Sequence, residues 1–231
     1  MKSMIRRVLA ATFLVIAAFL FLFSPILIRS LLYQPFSIPS GAMKPTLLVG
    51  DYIFVAKFSY GYTHYSLPYS PRWFSGRIFA AAPERGDVVV FRLPRNDSID
   101  YVMRLVGLPG DRIQMIKGHL HINGEPVKRE QIEDFVETED GRTVRTKRWR
   151  ETLPNGISHE TLDQVENGEN DNTPVFQVPA GRYFMMGDNR DNSRDSRVPN
   201  AVGYVPFENL IGPAAMIFLS NDSARIGMKV R

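Results

Sequence analysis

The feature that most constrains this chain is a single apolar run near its start. The run extends from Val8 to Ile28 and holds 21 residues. At about 1.5 Å per residue, a helix of this length measures roughly 31 Å and matches a hydrocarbon core of about 30 Å. It is longer than the apolar part of a cleaved signal peptide and ends without a small-x-small cleavage site. The sequence therefore predicts one retained transmembrane helix, an anchor over residues 8–30.

The distribution of charge predicts how this anchor is oriented. The chain has 28 basic and 24 acidic side chains, and the excess of four lies within residues 1–34, which contain no acid. Lys2, Arg6 and Arg7 precede the apolar run, so the positive-inside bias places residues 1–7 in the cytoplasm. The remaining residues are formally neutral, which argues against nucleic acid as a partner. We expect a single-pass protein that contacts the lipid bilayer and has its main domain on the outer face.

The rest of the chain, residues 35–231, is predicted to be an all-β domain. Short β-branched or aromatic runs alternate with turn residues, and no long amphipathic helix pattern follows the apolar run. The runs are Tyr52–Ala56, Asp87–Phe91, Ile113–Ile122 and Tyr183–Met186. The dipeptide Asn123-Gly124 predicts a tight hairpin turn, because both positions tolerate positive φ.

One charged stretch inside this domain reads differently from the rest. Residues 128–172 are rich in charge, with Asn, Gly, Asp and Glu clustered at 166–172. We therefore expect a solvated hairpin with a mobile loop, within an inserted subdomain of about residues 113–180.

Two smaller features have less specific meanings. His119 and His121 share one face of a predicted strand, but no third ligand lies nearby, so no metal site is predicted. An aromatic cluster could either join the core or enter the outer membrane–water interface beside the anchor. Its members are Tyr60, Tyr62, Tyr65, Tyr69, Trp73 and Phe74.

The absence of cysteine excludes thiolate nucleophiles and cysteine-bound metals.

Four segments carry a resemblance to a known family. They are Ile38–Leu47 (IPSGAMKPTL), Arg85–Phe91 (RGDVVVF), Tyr101–Asp111 (YVMRLVGLPGD) and Gly187–Arg197 (GDNRDNSRDSR). Their order and spacing behind an N-terminal apolar run resemble bacterial type I signal peptidases. The resemblance implies an all-β catalytic domain on the outer face of the bacterial inner membrane. It also implies removal of signal peptides from exported precursors by a serine–lysine dyad, without a cofactor. We expect a monomer.

The resemblance assigns positions to the reactive groups, and both decisive positions are substituted. The nucleophile position is Ala42, and the general-base position is Met103. Arg104 next to it stays protonated and cannot serve as the base. The position that helps to stabilise the oxyanion is Ser40. Ser193 resembles the residue that would hydrogen-bond the lysine, and Asp195 and Arg197 resemble the pair that braces the site. Because both positions are substituted, we expect that a protein with this sequence is not an enzyme. It would be a pseudoenzyme that has lost its Ser/Lys dyad.

The substrate groove could persist without the dyad, and two other interpretations remain. The residues that match the family's groove are Phe36, Ile38, Met43, Leu47 and Val102, although each could simply belong to the core. The chain could instead be an active peptidase that uses another hydroxyl, Ser37 or Ser40, with another amine. Of the amines nearby, Lys44 is expected to point away from the cleft and Lys57 to be a solvated strand end. A third interpretation is a scaffold that binds secretory precursors.

Overall fold

The computed structural model describes residues 28–139 and 141–230, together with residues 6, 12–14, 17, 21 and 24. Most of the predicted anchor, residues 8–30, lies outside the described residues. Among those that are described, no helix is long and apolar enough to cross a membrane. The transmembrane helix therefore stays a prediction.

The described chain from residue 33 onward consists of β-strands and short 3₁₀ turns. Its strands are β1 (Tyr33–Ser37), β2 (Tyr52–Ala56), β3 (Val88–Arg92), β4 (Asp100–Gly107), β5 (Arg112–Ile116), β6 (His119–Ile122), β7 (Glu125–Pro126), β8 (Lys128–Glu139), β9 (Arg142–Thr152), β10 (Ser158–Asp163), β11 (Phe176–Gln177), β12 (Arg182–Met186), β13 (Val205–Pro206) and β14 (Leu210–Leu219). The predicted all-β fold class is confirmed.

A seven-stranded antiparallel sheet forms the centre of the fold. Its strand order is β1-β2-β14-β3-β4-β12-β13. The central strand β3 reads as an unbroken apolar run because both of its faces are covered, and Val88 to Phe91 are all buried. The main hydrophobic core packs against this sheet and includes Ile38, Met43 and Met103.

The chain between β4 and β12 builds two further sheets. One has four strands in the order β11-β5-β6-β7, and the other has three in the order β10-β9-β8. A second core, which includes Ile113, Leu120 and Phe184, joins the four-stranded sheet to β12. The long hairpin of β8 and β9 belongs to the charged stretch of the sequence.

Two glycine turns shape the four-stranded sheet, and the sequence pattern identified one of them. Asn123 and Gly124 have φ of 57° and 92° and connect β6 to β7, as predicted. Lys117 and Gly118 also have positive φ, 49° and 74°, and they divide the run 113–122 into β5 and β6. The run was read as one strand because lysine is not a typical turn residue.

The aromatic cluster is divided between the interior and the surface. Tyr60 is buried in the main core, and its hydroxyl donates to Asp87 Oδ2 at 2.6 Å. In contrast, the side chains of Tyr69 and Trp73 are almost fully exposed. The core interpretation is therefore confirmed for Tyr60 and does not hold for these two.

Candidate active site

The segment that resembles the family's nucleophile motif forms a tight turn after β1. Gly41–Met43 is a 3₁₀ turn, and Ser40 precedes it with an extended backbone (φ −130°, ψ 157°). Asn189, in the loop after β12, fixes this turn through two hydrogen bonds. Its backbone N–H donates to Ala42 O and its side-chain Nδ2 to Gly41 O, both at 3.0 Å. The first and last of the four motifs thus meet in space.

Gly187 permits this close approach because it lacks a side chain. A Cβ at this position would lie 2.2 Å from Ser193 Oγ and 2.7 Å from Ala42 O. Real Cβ atoms do not come so near to other heavy atoms, so the loop and the turn could not pack in this way with any other residue here. Ser193 Oγ is buried at this point, and no described residue makes a hydrogen bond to it.

Met103 lies on β4 with only 2% of its surface exposed. It pairs across the sheet with Val89 of β3 and belongs to the main core. A flexible thioether fills such a site without the desolvation cost of a charge. At the position that corresponds to the family's general base, both the side chain and its surroundings are therefore apolar.

Next to Met103, Arg104 forms a fully buried ion pair with Asp188. Its Nε and Nη2 donate to the two carboxylate oxygens of Asp188 at 2.8 and 2.7 Å. Thr46 Oγ1 donates to the same carboxylate at 2.5 Å. Burial alone would raise the pKa of Asp188, but the charge of Arg104 and these hydrogen bonds lower it below its usual range. The pair joins β4 to the loop that carries Asn189.

A second buried ion pair closes that loop on itself. Arg197 Nε and Nη2 donate to Asp195 Oδ1 and Oδ2, each at 2.9 Å. Asp195 Oδ2 also accepts a hydrogen bond from the Gly187 backbone N–H at 3.0 Å. Asp195, which Arg197 holds in place, therefore fixes the backbone of Gly187.

The three-stranded sheet and the loop after β12 form a buried ionic cluster that the sequence did not indicate. Arg190 donates two hydrogen bonds to Glu151 of β9, and both side chains are buried. His159 of β10 lies 3.7 Å from Glu151 and 4.0 Å from Asp188. Burial, together with the charge of Arg104, lowers the pKa of His159 to about 3, so its ring is neutral at neutral pH. These residues lie far apart in the sequence, which is why no local pattern identified them.

A groove of about 380 Å³ opens between the turn and β4. Ser40, Ala42 and Met103 line it, together with the predicted groove residues Phe36, Ile38 and Val102. Met43 and Leu47, which were expected in the groove, lie in the core instead, with 1% and 0% of their surface exposed. Met43 ends the turn and Leu47 follows it, and both side chains pack into the main core.

The two amines near the motif behave differently from each other. Lys44 points toward the inserted hairpin, where its Nζ lies 2.6 Å from Glu137 Oε2, and it does not line the groove. Lys57 was predicted to be a solvated strand end, and this is wrong, since only 2% of it is exposed. Its Nζ donates a hydrogen bond to Ser66 O in the following loop, and its position after β2 did not reveal this burial.

The apolar surroundings of Met103 lead to a prediction about stability. We expect Met103→Lys to lower the free energy of unfolding at pH 7 by about 3 kcal/mol, because the amine would lose its hydration. Burial would lower the pKa of the new lysine, so the loss should shrink as the pH rises toward 10. Denaturant unfolding of both proteins between pH 7 and 10 measures this effect.

Met216 provides the matched control, since 36% of its surface is exposed. Met216→Lys should change the stability by less than about 0.5 kcal/mol. Equal effects of the two substitutions would contradict the buried, apolar setting of position 103.

One edge of β4 is open where this strand borders the groove. Asp100 to Met103 of β4 pair with β3 on one side, while β12 pairs only from Arg104 onward. Within the described part of the chain, this leaves the edge of β4 from Asp100 to Met103 without a strand partner beside the groove. Ser40, which immediately precedes the turn, lines the same groove with its hydroxyl-bearing side chain.

Comparison with known proteins identifies the family. The family described as "Signal peptidase, peptidase S26" matches residues 5–219, and the chain belongs to this family. Signal peptidase I from Rickettsia typhi is 46% identical over 203 residues, which cover 84% of this chain and 75% of that protein. Signal peptidase I from Rickettsia felis is also 46% identical over 203 residues. The crystal structure of a signal peptidase I from Enterococcus faecalis V583 shares 28% identity and covers 58% of this chain and 97% of that chain, with a TM-score of 0.36.

These relatives contradict the interpretation that the chain is not an enzyme. The matching family is a peptidase family, and the relatives at 46% identity are named signal peptidase I. The expectation of a pseudoenzyme rested on two positions alone. The substitutions at Ala42 and Met103 exclude one reaction route, in which a serine and a lysine act at these positions. They do not exclude the other hydroxyls that line the same groove.

Proposed function

We propose that this chain is a signal peptidase that cleaves signal peptides from secretory precursors. The observation that carries the proposal is the groove, where apolar pockets lie beside the open edge of β4. A precursor in extended form would add to this edge through its backbone and place small side chains in the pockets. Specificity for small residues would follow because larger side chains would clash with Phe36, Ile38 and Val102.

The reactive groups of the proposed enzyme must come from residues other than Ala42 and Met103. Within the described lining of the groove, the side-chain hydroxyls that are neither phenolic nor buried are those of Ser37 and Ser40. Asp100 supplies a carboxylate to the same groove. Burial raises the pKa of Asp100, against the opposing effects of Arg92 and Lys57. A carboxylate with a raised pKa is a better proton acceptor, so we assign Asp100 as the general base for one of these hydroxyls.

The proposed location follows from the sequence pattern. We assign residues 8–30 as a single transmembrane helix, residues 1–7 to the cytoplasm and the β domain to the outer face of the bacterial inner membrane. The supporting observations are the apolar run and the basic residues that precede it. One copy of the chain contains the whole groove, so the monomer is the proposed working unit.

Cleavage of a precursor tests the proposed activity directly. The detergent-solubilised chain is incubated with a precursor that carries an Ala-x-Ala site, and the mature product is identified by its mass. We expect cleavage after the second alanine, and we expect Asp100→Asn and one of Ser37→Ala and Ser40→Ala to reduce the rate by about a hundredfold or more. Ser75→Ala, an exposed serine outside the groove, is the matched control and should leave the rate unchanged. A precursor that binds but is never cleaved by the parent chain would overturn the proposal.

A further inference from the structure

A second cavity lies next to the groove and has a different character. Its volume is about 780 Å³, and Asp100 lines both spaces. Four parts of the chain line it. They are residues 29–30 before β1, Lys57 directly after β2, the loop 64–72 and the connection between β3 and β4. Asp100, the proposed general base, is the residue that the two described linings share, and the proposed cleavage uses no other residue of this cavity.

Positive charge exceeds negative charge in the described lining of this cavity. The lining contains two carboxylates, those of Asp97 and Asp100. It contains four basic side chains, those of Arg29, Lys57, Arg72 and Arg92. Both carboxylates already have arginine partners. Arg72 Nη2 lies 3.1 Å from Asp97, and Arg92 Nε lies 2.9 Å from Asp100. The charges of Lys57 and Arg29 therefore remain in excess.

Lys57 is the most unusual of these groups. Only 2% of it is exposed, and its Nζ donates one hydrogen bond among the described residues, to Ser66 O at 2.6 Å. An ammonium group has three N–H donors, so two remain for a ligand. Burial is the main reason that its pKa falls to about 8, and the charge of Arg29 adds to this effect. At neutral pH, Lys57 is thus a mostly protonated, buried cation beside an open cavity.

A buried hydroxyl in the same lining also lacks a partner. Ser30 is 6% exposed, and no described residue makes a hydrogen bond to its Oγ. Buried polar groups without partners are rare because each costs free energy, and a ligand with acceptor oxygens would satisfy this one. Lys57 and Ser30 therefore give two separate observations that point to a missing acceptor.

We propose that this cavity binds a phosphate-bearing anion through Lys57, Ser30 and Arg29. Phosphate oxygens accept several charge-assisted hydrogen bonds at once, from both ammonium and guanidinium groups. The cavity is also far larger than a single carboxylate requires. The phosphate could be free in solution or part of the headgroup of an anionic lipid, since Arg29 lies at the end of the proposed transmembrane helix. The proposed anion ligands are not among the groups proposed for cleavage, although Asp100 borders both sites and the charge of Lys57 lowers its pKa.

Calorimetric titration of the full chain in a neutral detergent tests the proposal. Two probes separate the possible sources, namely inorganic phosphate and a short-chain phosphatidylglycerol below its micelle concentration. Short-chain phosphatidylcholine, which has no net charge, is the control ligand. We expect at least one of the two anions to bind and phosphatidylcholine to bind at least about tenfold more weakly.

Variants of the lining show whether binding occurs in this cavity. Lys57→Met keeps the shape of the side chain and removes a desolvated charge, so the protein should fold, and we expect the affinity for the anion to fall about tenfold or more. Ser30→Ala removes a hydroxyl that has no protein partner and should weaken binding severalfold. Lys229→Met, at an exposed lysine, is the matched control and should bind as the parent does.

Each result has a definite meaning for the proposal. Binding of inorganic phosphate that is lost in Lys57→Met supports a site for free phosphate. Binding of phosphatidylglycerol alone, with the same loss, supports a lipid headgroup site. If neither anion binds, or if both variants bind as tightly as the parent, the proposal is overturned. Loss of precursor cleavage without loss of anion binding would affect only the proposed function.

Discussion

The double variant Ala42→Ser/Met103→Lys is expected to cleave an Ala-x-Ala precursor on the order of a thousandfold faster than the parent chain. Both positions line the same groove, so the new hydroxyl and the new amine would face one bound substrate. The core around position 103 would lower the pKa of the lysine toward neutrality, as a general base requires. The resemblance implies that Ser193, whose hydroxyl is buried near Ala42, would accept a hydrogen bond from this amine.

The single variants provide the controls for this result. Ala42→Ser has a nucleophile without the new base, and Met103→Lys has a base without the new nucleophile. Groups that act as a unit are strongly non-additive, so each single variant should gain less than about tenfold. A single variant that reproduces the full gain would show that one of the two positions is misassigned.

A further substitution separates the new route from the parent activity. If Asp100 is the base in the parent chain, Asp100→Asn should abolish parent cleavage and leave the rate of the double variant within about tenfold. Comparable losses in both proteins would mean that Asp100 acts by positioning the substrate rather than as the base.

Local sequence patterns predicted those parts of the fold that depend on neighbouring residues. Strand β2 has the bounds that were predicted, Tyr52–Ala56, because the apolar run begins directly after Gly50-Asp51 and ends at the charged residue Lys57. The turn at Asn123-Gly124 follows from the φ preferences of two adjacent residues. The meeting of the turn at Ala42 with the loop at Gly187 followed from the resemblance of whole motifs, and no local pattern indicated it.

Features that depend on distant contacts could not be read in the same way. Lys57 follows a strand like many solvated lysines, and its burial comes from the loop 64–72 and from the connection between β3 and β4. Similarly, Glu151 and His159 lie in a stretch of charged residues that resembles a solvated hairpin. Both side chains are nonetheless buried, because they meet Asp188 and Arg190 from the loop after β12. Composition describes a segment on average, whereas a buried pair requires knowledge of its partner.

The buried pair of Arg104 and Asp188 leads to the largest expected effect on stability. We expect Asp188→Leu to lower the free energy of unfolding by about 3–5 kcal/mol. The fully buried guanidinium of Arg104 would lose the carboxylate that accepts two of its hydrogen bonds. The exposed pair of Arg72 and Asp97 is the matched control, with side chains 80% and 53% exposed. Asp97→Leu should cost less than about 1 kcal/mol, because an exposed pair is screened by water.

The same network predicts how stability depends on pH, and this distinguishes the loss of a charge pair from the loss of packing. The pKa values of Asp188 and Glu151 are lowered in the folded protein, and that of His159 falls to about 3. As the pH falls from 7 toward 4, the unfolded chain therefore takes up protons that the folded protein does not, so stability decreases. Asp188→Leu removes one of these groups and should flatten this decrease at its acidic end, where Asp188 would titrate in the unfolded chain. Urea unfolding from pH 7 to 4 measures both effects, and a variant with the parent's pH dependence would contradict the assigned role of Asp188.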